Sequence, residues 1–336
     1  MKVHRVSYSC SAESTSVCSV HFSVFRIPGA TCRCDVFCAE HVFFCARSQL
    51  KRIVRALCVN GHTAKFSRPL HVRDRVSFEW VRSVPPALIP ENISLSILFE
   101  NEDIIAVNKA QGMIVHPGAG HWTGTLVQAL SFYRVYRARF EDEFSRQFQK
   151  GFPDFFSTLR QGIVHRLDKD TSGVLLTSRN MHAHEALVRS FKKRQVRKVY
   201  LALLQGVPAR GVGVIETTIV RDRRRRTRFV ASEDFSKGKY ARTRYKVMKI
   251  CGACAFVQFL LDTGRTHQIR VHARYLGCPV VGDPLYGSRN ICGIPTTLML
   301  HAYAVRFVLP RTKKRITLVA PIPLRFVRLI HRLSVR

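Results

Sequence analysis

The run Gly162-Ile163-Val164-His165-Arg166-Leu167-Asp168-Lys169-Asp170-Thr171-Ser172-Gly173 limits what this chain can fold into more than any other stretch. Short apolar segments flank it, Ile163-Val164 before and Val174-Leu175-Leu176 after. Both are too brief for helices and end in Gly or polar residues, so they read as buried strands. A polar turn lies between them, with Asp168 near its middle. Such a turn gives a carboxylate a rigid mount that still opens onto a cleft. His165, Arg166 and Lys169 are its sequence neighbours, and nearby positive charge favours the ionised form of a carboxylate. A positioned, ionised Asp serves as nucleophile or base. The plainer reading, a solvated charged loop, suits an isolated Asp better than this dense pattern.

Charge narrows the partner. The chain has 336 residues, room for two domains, and sets 55 Lys+Arg against 22 Asp+Glu for a net +33. An excess of one sign on this scale points to a polyanion, nucleic acid before membrane. Charges interrupt every apolar run, so no membrane span is expected. The eleven cysteines are irregularly spaced. The single CxxC, Cys251-Gly252-Ala253-Cys254, adjoins an apolar strand and reads as packing. A reduced, cytoplasmic protein is the expectation. His116, His165, His267, His272 and His301 form no HExxH pattern, so no metal and no cofactor is expected.

Residues 1–29 show no period and no apolar run long enough for a signal peptide, and read as an unassigned extension. Residues 30–83 read as a small domain. Ser48 precedes Leu50, Ile53, Val54 and Leu57 at helical spacing, with Lys51, Arg52 and Arg55 on the other face. Asn60-Gly61 predicts a hairpin turn, and Arg75 to Phe78 a closing strand. The stretch 84–92 is a Pro-rich linker. The large domain spans 93–326, and 327–336 is a basic tail.

Within the large domain, Leu95–Phe99 and Ile104–Lys109 read as strands around a polar turn. A helix starts near Thr125, and Phe140, Phe144 and Phe148 form a helical stripe. Ala183, Ala186, Leu187 and Phe191 form another. Arg197–Leu203 and Phe256–Leu261 are strands. Gly264–His272 turns into a helix that Thr266 caps. The stretch Arg221–Arg228 holds six arginines and reads as an exposed phosphate-binding loop. Strands outnumber helices, which gives an α+β domain.

The His165–Gly173 run resembles the sequence mark of the RluA/RluD family of RNA pseudouridine synthases. Asn108-Lys109, Tyr200 and Gly264–Arg270 follow the family pattern in the same order. Val115-His116-Pro117-Gly118 is similar to a family loop, although Ala110-Gln111 departs from it. Residues 30–83 resemble an S4 RNA-binding domain, with Cys34 and Cys38 where that family places Leu. The resemblance implies a small S4 (α-L like) domain followed by a catalytic domain on a mixed, mostly antiparallel sheet. It implies that Asp168 is the catalytic carboxylate, Tyr200 stacks on the target base, and Arg270 pairs with Asp168. Arg265 is a second choice for that pairing. Arg166 is expected to replace the flipped base. RNA-binding residues would be Arg166, Arg265, Lys51, Arg52 and Arg55. The substrate implied is large-subunit ribosomal RNA or a pre-ribosomal particle, and the protein is expected to be a monomer. Whether Asp168 attacks C1′, attacks the base or takes a sugar proton stays open. The rival reading is a non-catalytic S4-type RNA-binding protein or ribosome assembly factor.

Overall fold

The computed structural model describes residues 6–10, 17–24, 31–41, 54–81, 89–118, 121–140, 162–222 and 224–334. The chain divides into two compact units, Met1–Ala87 and Leu88–Arg336.

In the first unit, strands β1 (Val6–Cys10) and β2 (Val17–Ser23) precede the short β3 (Cys32–Arg33) and helix α1 (Cys34–His41). Strands β4 (Val54–Val59), β5 (His62–Thr63), β6 (Pro69–Leu70) and β7 (Arg75–Val81) follow. Five strands form one sheet in the order β1-β2-β7-β4-β5. Asn60 and Gly61 both take positive φ, 55° and 81°, and make the tight turn their sequence predicts. Cys34, Phe37 and Cys38 pack with Leu57, Val59, Val76 and Phe78 in a small core, so these two thiols fill space.

Two expectations fail here. Residues 1–29, read as an unassigned extension, contribute two strands among their described residues: β1 pairs with β2, and β2 with β7 from Val17 to Ser23. The helical stripe Leu50–Leu57 is a strand from Val54 onward. A bulge between Val54 and Ala56 in the pairing with β7 mimics helical spacing of apolar residues. Lys51 and Arg52 lie outside the described residues; Arg55 falls within β4, and its side chain is not described. Linker residues 84–88 and the predicted positions Phe144 and Phe148 also lie outside the described residues.

The second unit is built on a ten-stranded sheet. Its strands are β8 (Ile97–Glu100), β9 (Ile104–Lys109), β10 (Ser172–Ser178), β11 (Arg197–Gln205), β12 (Val212–Arg221), β13 (Phe229–Ser232), β14 (Lys239–Cys251), β15 (Cys254–Leu261), and, after a small β16–β17 pair (Asn290–Ile291, Ile294–Pro295), β18 (Leu300–Val308) and β19 (Arg315–Val319). The order is β13-β12-β14-β15-β11-β18-β10-β9-β8, with β19 on β18. Only β10 and β18 pair in parallel among the described strands, so the sheet is mixed and mostly antiparallel. Every residue of β10 is buried. Gly173 takes φ 116°, and a Cβ there would sit 2.2 Å from the Ala302 carbonyl oxygen, so the β10–β18 contact requires glycine.

Helices α2 (Leu126–Phe140), α3 (Met181–Lys192), α4 (Gln268–Tyr275) and α5 (Leu324–Ser334) cover both faces of the sheet. Strand alternation sorts the packing. Ile105, Val107 and Leu175 meet Leu126 and Leu130 of α2, while Ile104, Ala106, Val174 and Leu176 meet Leu187 of α3. Ala202 and Leu204 meet Ile269 and Ala273 of α4, and Leu203 meets Phe326, Leu329 and Leu333 of α5. The segment 327–336 is therefore no tail through Ser334; its apolar stripe completes the core. Asn180 caps α3 by accepting from the Ala183 N–H at 2.8 Å. The α4 cap is His267, in the left-handed region at φ 57° with no side-chain cap bond, and not Thr266.

Candidate active site

The polar turn of the central run connects Ile163 to β10, and its carbonyls are held from beneath. Lys109, 1% exposed, donates through Nζ to the carbonyls of Ala110, Met113 and Lys169 at 2.8–3.0 Å. Burial lowers its pKa to about 8, against the pull of Asp170 and Asp168. Gln111 donates through Nε2 to the Asp170 and Leu298 carbonyls at 2.9 and 2.8 Å, and its Oε1 accepts from Thr297. The Gly112 N–H donates to the Lys169 carbonyl, and the Thr171 N–H to that of Asp168. With its backbone so pinned, the turn fixes where the Asp168 carboxylate points.

His165 is part of this support and does not add charge. Its Nε2 accepts from the Leu176 N–H at 2.9 Å, and its ring stacks on Phe191 at 4.7 Å. Burial, helped by Lys198, lowers its pKa to about 3, so it is neutral. The cation nearest the Asp168 carboxylate comes from another part of the chain. Arg270 of α4 places Nη1 3.6 Å from Asp168 Oδ2, and His267 Nε2 lies 3.9 Å from the same oxygen. Sequence reasoning missed the group that aims Arg270. Asp283, fully buried, accepts from Nε and Nη2 of Arg270 at 2.7 Å each. Burial alone would weaken the guanidinium; the fork to Asp283 and the nearby Asp168 more than offset it and raise its pKa. Asp283 also accepts from the Leu285 and Tyr286 N–H groups, which fixes the loop that carries it.

Tyr200 stands on β11 at a register shift opposite β18 and lines the same cleft as Asp168 and Arg270. Burial, then the charge of Asp168, raises its phenol pKa well above the ordinary value. At neutral pH it is therefore a protonated, half-buried ring. Arg166 is exposed on the rim. Arg265 also lines the cleft, with Nε donating to the Tyr240 carbonyl at 2.9 Å. The cleft has a volume of about 520 Å³, in the range of sites that enclose a small ligand. Arg166, Lys192, Arg194, Lys198, Arg265 and Arg270 outnumber Asp168 and Asp262 along its wall. A basic cavity around one carboxylate suits a polyanionic ligand and gives that carboxylate a charged partner.

His272 and His301 belong to the frame. His272 bonds the hydroxyls of Thr217 and Thr243, and His301 that of Ser172. Burial lowers both to about 4. Cys251 and Cys254 face each other across the β14–β15 turn, buried in the α5 core.

A mixed sheet, a pinned turn and a basic cleft around one carboxylate suit an enzyme that acts on a polyanion. The family model described as RNA pseudouridylate synthase matches residues 103–275. An uncharacterized RNA pseudouridine synthase of Bacillus subtilis, YlyB, is 34% identical over 303 residues, covering 90% of this chain and 94% of the relative. The ribosomal large subunit pseudouridine synthase D of Borreliella burgdorferi is 33% identical, covering 90% of each. The human RNA pseudouridylate synthase domain containing 1 has a similar structure, with TM-score 0.53, 26% identity, and coverage of 73% of this chain and 97% of that one. The chain belongs to the RNA pseudouridine synthase family, and its activity is the isomerisation of uridine to pseudouridine in RNA.

Proposed function

We propose that this enzyme modifies specific uridines of large-subunit ribosomal RNA, with Asp168 as its catalytic carboxylate. The reaction breaks the N1–C1′ bond, turns the base over and joins C5 to C1′. C5 loses a proton and N1 gains one, so no redox partner or energy source enters. The observation that carries the reading is the charge pair in the cleft: Asp168, on a turn with tied carbonyls, faces an Arg270 locked by Asp283. That geometry orients a carboxylate and gives it a fixed charged partner. Tyr200, protonated and beside Asp168, stacks on the flipped base and offers a hydroxyl rather than a phenolate. Arg166 on the rim fills the space the base leaves, and Arg265 lies against the RNA.

The ribosomal target rests on the name of the Borreliella relative and on the net charge of +33. The first unit supplies an S4-type grip through Lys51, Arg52 and Arg55, and the enzyme works as a cytoplasmic monomer. Mapping pseudouridines in ribosomal RNA from cells lacking the gene tests the target. Loss of one or a few large-subunit sites, restored by the wild-type gene, is expected. Unchanged large-subunit sites with losses in other RNAs would reassign the substrate. An RNA-binding assembly factor would leave every site intact.

A further inference from the structure

The arginine-rich turn between β12 and β13 is outside the cleft, yet hydrogen bonds run from its end to His267, whose ring lies 3.9 Å from Asp168. Asp222 Oδ1 accepts from the N–H groups of Arg224 and Arg225, and the Asp222 and Arg228 backbones close the turn. This folds the segment tightly and leaves Arg224, Arg225 and Arg226 exposed. Directly after it, the Phe229 N–H donates to the Tyr286 hydroxyl at 2.8 Å. That hydroxyl lies 2.9 Å from His267 Nδ1. On the far side of the same ring, Nε2 lies 3.9 Å from Asp168 Oδ2. Tyr286 is 2% exposed, and the guanidiniums of Arg228 and Arg270 lie 5.4 and 5.1 Å from the centre of its ring. His267 is held edge-on to Phe229 and Tyr286, on a backbone at φ 57° that an ordinary residue adopts at a cost.

We propose that Tyr286 and His267 are positioning residues that tie the arginine turn, as a seat for a substrate-RNA phosphate, to the Asp168 carboxylate. The proposal rests on Asp168 being the catalytic group. Proton bookkeeping gives it direction. The Tyr286 oxygen accepts from the Phe229 N–H, and the acceptor that the structure sets within reach of its own proton is His267 Nδ1, so the proposal places the phenol proton there. The imidazole then carries its own proton on Nε2, facing the carboxylate. Burial depresses the imidazole against the pull of Asp168, which fits the neutral ring this arrangement needs. The gap to Asp168 is longer than a hydrogen bond, and about 1 Å of closure would make it one. A phosphate on Arg224–Arg226 would order the turn, and with it the Phe229 N–H and the ring of His267.

The test uses full-length protein with ¹⁵N-labelled histidine, His267 being assigned from the signal lost in His267→Gln. The proposal expects the Nε2–H tautomer in wild type and a mixture in Tyr286→Phe. A wild-type ring protonated on Nδ1 would overturn it. Kinetically, Tyr286→Phe should lower kcat by about 10- to 100-fold, with KM within about threefold. His267→Gln, which keeps a donor, should retain more kcat than His267→Ala. Combined with Arg224→Ser, Arg225→Ser and Arg226→Ser, the kcat losses should fall short of multiplicative. Fully multiplicative losses would leave the turn a separate grip and refute the coupling. If Tyr286→Phe does not fold, the same cycle runs on His267→Gln. An active Asp168→Asn would refute the catalytic reading instead, a result independent of the tautomer.

Discussion

The turn carrying Asp168 and the turn carrying Arg224–Arg226 are both short, polar and rich in charge, and the fold treats them oppositely. The first has its carbonyls tied by Lys109, Gln111, Gly112 and Thr171, with a buried ion pair across the cleft. The second is organised by one carboxylate, Asp222, and leaves its guanidiniums in solvent. Chemistry at one atom needs position, so structure is spent on holding a single carboxylate. A phosphate grip needs charge and reach, and exposed arginines supply both with little packing. Substitutions at the first turn should therefore act on turnover or stability, and those at the second on salt-dependent affinity, with only the kcat loss that the coupling through Tyr286 and His267 adds.

The largest effect is expected for Asp168→Asn, which keeps shape and removes charge. Pseudouridine formation should fall about 10³-fold or more, equivalent to roughly 4 kcal/mol, while melting temperature and RNA affinity stay near wild type. Next comes Asp283→Ala, which strands the Arg270 guanidinium in the interior. Urea denaturation should show a loss of about 3–5 kcal/mol; a loss below about 1 kcal/mol would mean the pair is not buried as described. Tyr200→Phe keeps the ring and loses the hydroxyl. Its turnover per bound RNA should drop by about tenfold or more with affinity little changed, and the reverse split would make Tyr200 structural. Gln111→Ala frees the Asp170 carbonyl and should cost about 1–2 kcal/mol of stability, with a matching fall in kcat. Smallest for stability is the triple change of Arg224, Arg225 and Arg226 to Ser, within about 0.5 kcal/mol. Besides the kcat loss expected from the coupling, it acts on binding: the slope of log affinity against log salt should flatten by about 2. An unchanged slope would remove the turn from the RNA interface and erase the contrast between the two regions.

What the sequence revealed follows the same division. Asp168 and its run are contiguous, and Arg270 lies in a second contiguous motif, so both could be read locally. Asp283 could not, because its role arises only when α4 packs against the loop after it. The run Gly282-Asp283-Pro284-Leu285-Tyr286-Gly287 reads as a loop; an acid and a tyrosine set among Gly and Pro were the available hint. His165 misled for the same reason, since a histidine beside Asp168 in sequence turns away to Leu176 in space. The strands β1 and β2 were legible in principle, since Val6-Ser7-Tyr8-Ser9-Cys10 and Cys18-Ser19-Val20-His21-Phe22-Ser23 alternate; small Ser and Cys side chains made the contrast faint. The amphipathic α5 was hidden by its arginines, although Phe326, Leu329 and Leu333 recur at helical spacing.

The most direct measurement is release of tritium from C5-labelled uridine in a large-subunit ribosomal RNA transcript, with the wild-type and Asp168→Asn proteins bound to the same RNA. The account predicts one tritium released per pseudouridine formed by the wild type, and binding without release by the variant. Equal release from both proteins would contradict it, and so would binding without release by the wild type.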